Sequence, residues 1–211
     1  MLMKQLGDFL KEYVTPAVKP AGFKKMGKYY QLSTPSGDAA FLEFNPVRVD
    51  PDYIVFYAHC SIVPEPYWQW LNRHCVVTGV PSPNPSGALA GFSLIPPKTA
   101  AYTPSALGVL STRWAFNETT RVKTGGSIDL VLRTDVIPRV QRLLIRDKLL
   151  EAIISTDKPS IRLWGALQSE LVLMVDKYSL PEFEESLSRI DLNPSIKAQL
   201  VAWAEIRQGR N

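Results

Sequence analysis

The chain has 211 residues, 45% of them apolar and 21% charged, which is enough to bury a substantial core and excludes a disordered polyelectrolyte. Its 24 basic and 20 acidic side chains leave a net charge of +4, an excess smaller and more local than the dense basic cluster of a dedicated nucleic-acid binder. Two cysteines, Cys60 and Cys75, are too few for a secreted disulfide framework and read as reduced thiols of a cytoplasmic protein, and no apolar run reaches membrane-spanning length.

The N-terminus meets Lys4 before any apolar stretch of signal-peptide length and is expected to begin a helix. Leu2, Leu6, Phe9, Leu10, Tyr13, Val14 and Ala17 recur at three- and four-residue spacing, with Lys4, Asp8, Lys11 and Glu12 on the opposite side. Pro16 and Pro20 are expected to close this helix, and Gly22 to take the positive φ that ends such turns. Three strands follow, over Lys28–Thr34, Ala39–Val49 and Tyr53–Val63, joined by short turns that imply antiparallel neighbours. In the third, a period of two sets Ile54, Phe56, Ala58, Cys60 and Ile62 on a core face and Tyr53, Val55, Tyr57, His59 and Ser61 on the other.

Pro64-Glu65-Pro66 opens a short helix, Tyr67–Cys75, whose Trp68 and Leu71 are expected to close one end of the sheet, while Trp70 points to a different side. From Thr78 to Pro104 the chain is dense in Pro, Gly and Ser and reads as a long loop with one short strand near Phe92–Ile95. A strand about Val109–Asn117 comes next. Gly125-Gly126-Ser127 reads as a turn followed by an N-cap. Helices are then expected over Asp129–Ile154, kinked or split at Pro138, over Ser160–Tyr178, and over Ser195–Arg207 after Asn193-Pro194. The expected fold is α+β: one domain over residues 1–211, with an antiparallel sheet of four to five strands and an N-terminal helix packed on it (1–120), then a helical C-terminal extension (121–211).

The order of helix, Gly22-Phe23-Lys24-Lys25 with Gly27 and Tyr29-Tyr30, meander with Phe41-Leu42-Glu43-Phe44, Trp-containing short helix and long helices resembles the bacterial family described as domain of unknown function 4304. The likeness covers roughly the first two thirds of the chain. Asn45-Pro46-Val47-Arg48 stands where the family often has a glutamine and further polar residues. The resemblance implies a fold and no activity; small bacterial domains of this kind are sometimes immunity proteins that neutralise toxins.

No catalytic, cofactor-binding or metal-ligating residues are assigned. His59-Cys60 and His74-Cys75 offer zinc-type ligands, but on a strand His59 and Cys60 point to opposite faces, and no C-x2-C knuckle is present. Glu182, Glu184 and Glu185 lack an opposing carboxylate and suit the first turn of a helix. The candidate partner-binding residues are Lys24, Lys25 and Lys28 in the basic turn, Tyr53, Tyr57 and His59 on the second sheet face, Trp70, and Arg139, Arg142 and Arg146, which i, i+3, i+7 spacing aligns along one helix face. The leading expectation is a non-catalytic, immunity-like cytoplasmic protein that binds another protein, with an acidic surface or a toxin as partner. The alternative is an enzyme with its site between the sheet and the Pro-rich loop. Nucleic acid is disfavoured, because base readout needs an element fitted to a groove.

Overall fold

The structure is a computed structural model that describes residues 2–74, 83–103, 112–155, 162–163 and 169–209. Its first helix runs further than its prolines suggest. Helix α1 (Leu2–Phe9) passes through a π-helical turn, Leu10–Val14, into α2 (Thr15–Val18) and a 3₁₀ turn, Lys19–Ala21. Thr15 N–H reaches back five residues to the Leu10 carbonyl, and this wider turn takes in Pro16, which has no N–H to give and whose ring would crowd a normal turn. Pro16 therefore does not close the helix. The end comes at Gly22, whose φ of 92° is the expected left-handed cap.

Among the described residues seven strands follow the expected antiparallel plan: β1 (Lys24–Met26), β2 (Tyr29–Ser33), β3 (Ala39–Val47), β4 (Ile54–Val63), β5 (Ala90–Ser93), β6 (Trp114–Phe116) and β7 (Arg162–Leu163). They lie in the order β1-β2-β3-β4-β5-β7, with β6 alongside the first residues of β4. What reads as a single basic turn is a β1–β2 hairpin, pivoting on Gly27 at φ 59°. Arg162–Leu163 pairs with Ala90 and Gly91, so apolar spacing that suggests the start of a helix belongs to an edge strand there. Helix α3 (Glu65–His74) leaves the end of β4; Cys75, both ends of the expected Thr78–Pro104 loop (78–82 and 104), residues 109–111 of the expected Val109–Asn117 strand and residues 160–161 and 164–168 of the expected Ser160–Tyr178 helix lie outside the described residues.

Helix α4 (Arg121–Val131) begins before Gly125-Gly126-Ser127, which is helix interior and not a turn. A Cβ at Gly125 would stand 2.3 Å from the Tyr13 ring, so this glycine lets two helices touch. A second π-helical turn, Leu132–Val136, leads into α5 (Ile137–Leu143) and takes in Pro138 as the first takes in Pro16. The helix breaks instead at Leu144-Ile145, before α6 (Arg146–Ile154). Helices α7 (Ser169–Met174), α8 (Leu180–Ser188) and α9 (Pro194–Arg207) complete the described chain. A capping box between Ser179 and Glu182 starts α8, and the Asn193 side chain caps α9.

The main core lies on the face of β4 that the period of two identifies. Phe56, Ala58, Cys60 and Ile62 meet Leu6, Phe9 and Val14 from the N-terminal helix and Ile128, Leu132, Val136 and Val140 from α4 and α5. Phe9 stacks on Phe116 with ring centroids 4.2 Å apart and tilts against Phe56 at 5.9 Å. Phe183, Leu187, Leu200 and Trp203 bring α8 and α9 into the same core. A smaller apolar cluster on the opposite face joins Ala39, Phe41 and Val63 to Trp68 and Ala88, with Tyr29 packed against it. Trp68 thus serves the second face while Leu71 packs against the main core. Among the described residues no helix is long and apolar enough to cross a membrane.

Candidate functional site

Antiparallel register builds a row of polar and aromatic groups across the second face. Glu43 on β3 lies opposite His59 on β4, which lies opposite Ser93 on β5; Tyr29 on β2 lies opposite Glu43 from the other side. His59 Nε2 and Glu43 Oε2 are 2.9 Å apart, and Glu43 is only 8% exposed. The imidazole gives the carboxyl a polar partner at that depth.

Tyr57 stacks on His59, ring centroids 6.1 Å apart, and is 45% exposed. The Leu94 N–H donates to the Ala58 carbonyl just beyond the paired residues of β5, and Ile95, next in the chain, is 55% exposed. Next to the Trp68 cluster, this face therefore continues as a strip of Tyr57, Ser93 and the Glu43–His59 pair. Glu43 alternates with Phe41 and is legible in the sequence as a member of the face; Ser93 joins it once the short strand inside the Pro-rich segment is recognised.

The ten candidate binding residues do not converge on one site. Tyr57 and His59 do come together. Tyr53 precedes β4, with its ring 6.5 Å from that of Tyr102, and lines a cleft of about 840 Å³ with Asp50, Asp52 and Arg121. Trp70 packs on His74 at 3.8 Å and on Trp203 at 5.9 Å, joining α3 to α9. Lys24 and Lys25 lie on the exposed edge strand and Lys28 in its turn, with Lys25 Nζ 5.6 Å from the Tyr30 ring centre.

Arg139, Arg142 and Arg146 do not form a stripe on one helix, because the break at Leu144-Ile145 separates α5 from α6. Arg146 instead enters an ion-pair cluster. Its Nε donates to both oxygens of Asp38 at 3.0 and 3.1 Å, and its remaining nitrogens reach Asp176 at 2.6 Å and Glu65 at 3.4 Å. Asp38, 3% exposed, also accepts the Glu65 backbone N–H at 2.8 Å and so caps α3. Arg207 at the end of α9 closes the cluster on Asp176 and, at 3.0 Å, on Glu65. Burial works against the charge on Arg207, but the hydrogen bonds to Asp176 and Glu65 outweigh it and raise its pKa. The cluster ties one hairpin to α3, α6, α9 and the turn after α7, a structural assignment for Arg146.

Cys60 is wholly buried on the core face, opposite Leu42 and Phe92, and burial pushes its thiol far above the ordinary range, with Arg139 opposing the shift. A thiol so placed does not serve as a nucleophile. Among the described residues no three His, Cys, Asp or Glu side chains gather as a metal would require.

No protein-family model, curated protein or solved structure matches the chain.

Proposed function

We propose that this protein is a non-catalytic, immunity-like module that binds another protein through the strip on its second sheet face. The observation that carries this reading is the pairing of opposite fates along β4: Phe56 is fully buried, while its neighbour Tyr57 stays 45% exposed beside the pre-formed Glu43–His59 pair. An aromatic ring with a polar handle, fixed on a rigid sheet and ringed by polar groups, is the kind of residue that anchors protein interfaces. The resemblance to the domain of unknown function 4304 family supports the immunity-like form of the reading, and the two cysteines, of which Cys60 is free, support a cytoplasmic setting.

A photo-crosslinking amino acid at position 57, expressed in the native host, is expected to capture a defined protein, whereas the same group at the exposed position 199 on α9 captures none. With the captured partner purified, Tyr57→Ala weakens binding by about 1–3 kcal/mol and leaves the melting transition in place. Equal adducts at both positions, or undiminished binding by Tyr57→Ala, contradicts the proposal.

A second reading, an enzyme with its site between the sheet and the Pro-rich segment, draws on one observation. Glu43, His59 and Ser93 occupy one register row on three adjacent strands, the residue types of a nucleophile, a base and an orienting acid. Hydrolysis of activated esters that disappears in Ser93→Ala and in His59→Ala favours this reading; turnover unchanged by either removes it.

A further inference from the structure

A groove of about 890 Å³ runs between α5 and α6, with Arg139 and Arg142 on one wall and Pro138, Leu143 and Ala152 giving it apolar surface. The arginines are three residues apart on α5, so their side chains leave the same side of the helix. The Arg139 guanidinium carbon lies over the Phe92 ring, 3.9 Å from its centre, a cation–π contact that holds the side chain against β5. Among the described residues neither arginine forms an ion pair, although the partly buried Arg146 and Arg207 both do so. The acids of the groove do not alter this. Asp135, one turn before Arg139, attracts it without reaching ion-pair distance, and Glu151 is held by Lys148 at 2.9 Å. Burial accordingly lowers the Arg139 pKa, with Asp135 only opposing the shift.

A half-buried guanidinium pays for lost hydration unless an anion answers it, and a cavity of this size suits a small organic molecule better than a single ion. We propose that this groove binds a small organic anion, with Arg139 and Arg142 forking its carboxylate or phosphate and Pro138, Leu143 and Ala152 lying against its apolar part. The site is separate from the strip on the second sheet face and stands whether or not that strip binds a partner.

The test follows the arginine Nε–Hε resonances by NMR while phenyl phosphate, benzoate or inorganic phosphate is titrated in at constant ionic strength. The Arg139 and Arg142 signals are expected to move saturably, and the better of the two aromatic anions identifies the preferred oxyanion. That anion should bind about tenfold more tightly than inorganic phosphate, because its ring buries apolar surface. Arg139→Gln removes a side chain that packs on Phe92, so Arg142→Gln, an exposed position, is the decisive variant; it should weaken binding about tenfold and leave the fold intact. Shifts that never saturate, equal affinity for inorganic phosphate, or affinity unchanged by Arg142→Gln overturns the proposal.

Discussion

Phe56 and Tyr57 are consecutive residues of β4 and belong to two different kinds of surface. On the side of Phe56, helices from both ends of the chain converge, and rings from Phe9, Trp114 and Phe116 surround it. On the side of Tyr57, the apolar cluster among the described residues draws on α3 and the segment before β5, not on α7, α8 or α9. The C-terminal helices thus reinforce the face that the N-terminal helix already covers. Among the described residues no C-terminal helix packs on the second-face cluster, and Tyr57 stays 45% exposed there.

Away from the two faces of β4 themselves, the largest effect comes from loosening the cluster that binds the C-terminal helices to the sheet. Arg146→Ala leaves Asp38 buried without its guanidinium and should cost about 3 kcal/mol, read from the urea midpoint. A loss below about 0.5 kcal/mol would place Arg146 among ordinary surface pairs.

A middle-sized effect separates two adjacent glycines on α4. Gly125→Ala drives a methyl into the Tyr13 ring and should destabilise by about 1–3 kcal/mol. Gly126→Ala meets nothing within 4 Å and should stabilise by up to about 1 kcal/mol, as alanine does in an exposed helix interior. Thermal melts of the two variants should therefore shift in opposite directions.

The smallest effect lies at the start of α8, remote from either sheet face. Hydrogen bonds from the Ser179 hydroxyl and backbone hold the Glu182 carboxyl below its usual pKa. A depressed carboxyl stabilises the fold above the ordinary carboxylate pKa and loses that contribution as the pH falls through its lowered value. The stability difference between wild type and Ser179→Ala should shrink on acidification; a constant difference would show that the carboxylate plays no part in the cap.

Much of the first face was legible because its causes are local. The alternation of Phe56, Ala58, Cys60 and Ile62 names the core side of β4, and Gly22 names the turn that ends the first helix. The misreadings share a different cause. Pro16 and Pro138 signal helix ends by their own chemistry, but a π-helical turn before each absorbs the missing donor, and nothing in the local pattern announces that turn. Gly125 looks like a turn residue because its reason for being glycine, the Tyr13 ring, lies on another helix. Arg146 continues a helical spacing from Arg139 and Arg142, while the acids that claim it, Asp38, Glu65 and Asp176, come from three distant segments. The candidate site was half legible for the same reason: period two sets Tyr57 and His59 together, but the contribution of Ser93 depends on how β5 pairs.

Equilibrium urea unfolding of Phe56→Ala beside Tyr57→Ala tests the difference between the faces most directly. Phe56→Ala should lose about 3–5 kcal/mol, as a large core truncation does, and Tyr57→Ala less than about 1 kcal/mol. A loss at Tyr57 that matches the loss at Phe56 would contradict the account, because it would mean that the second face is packed as core.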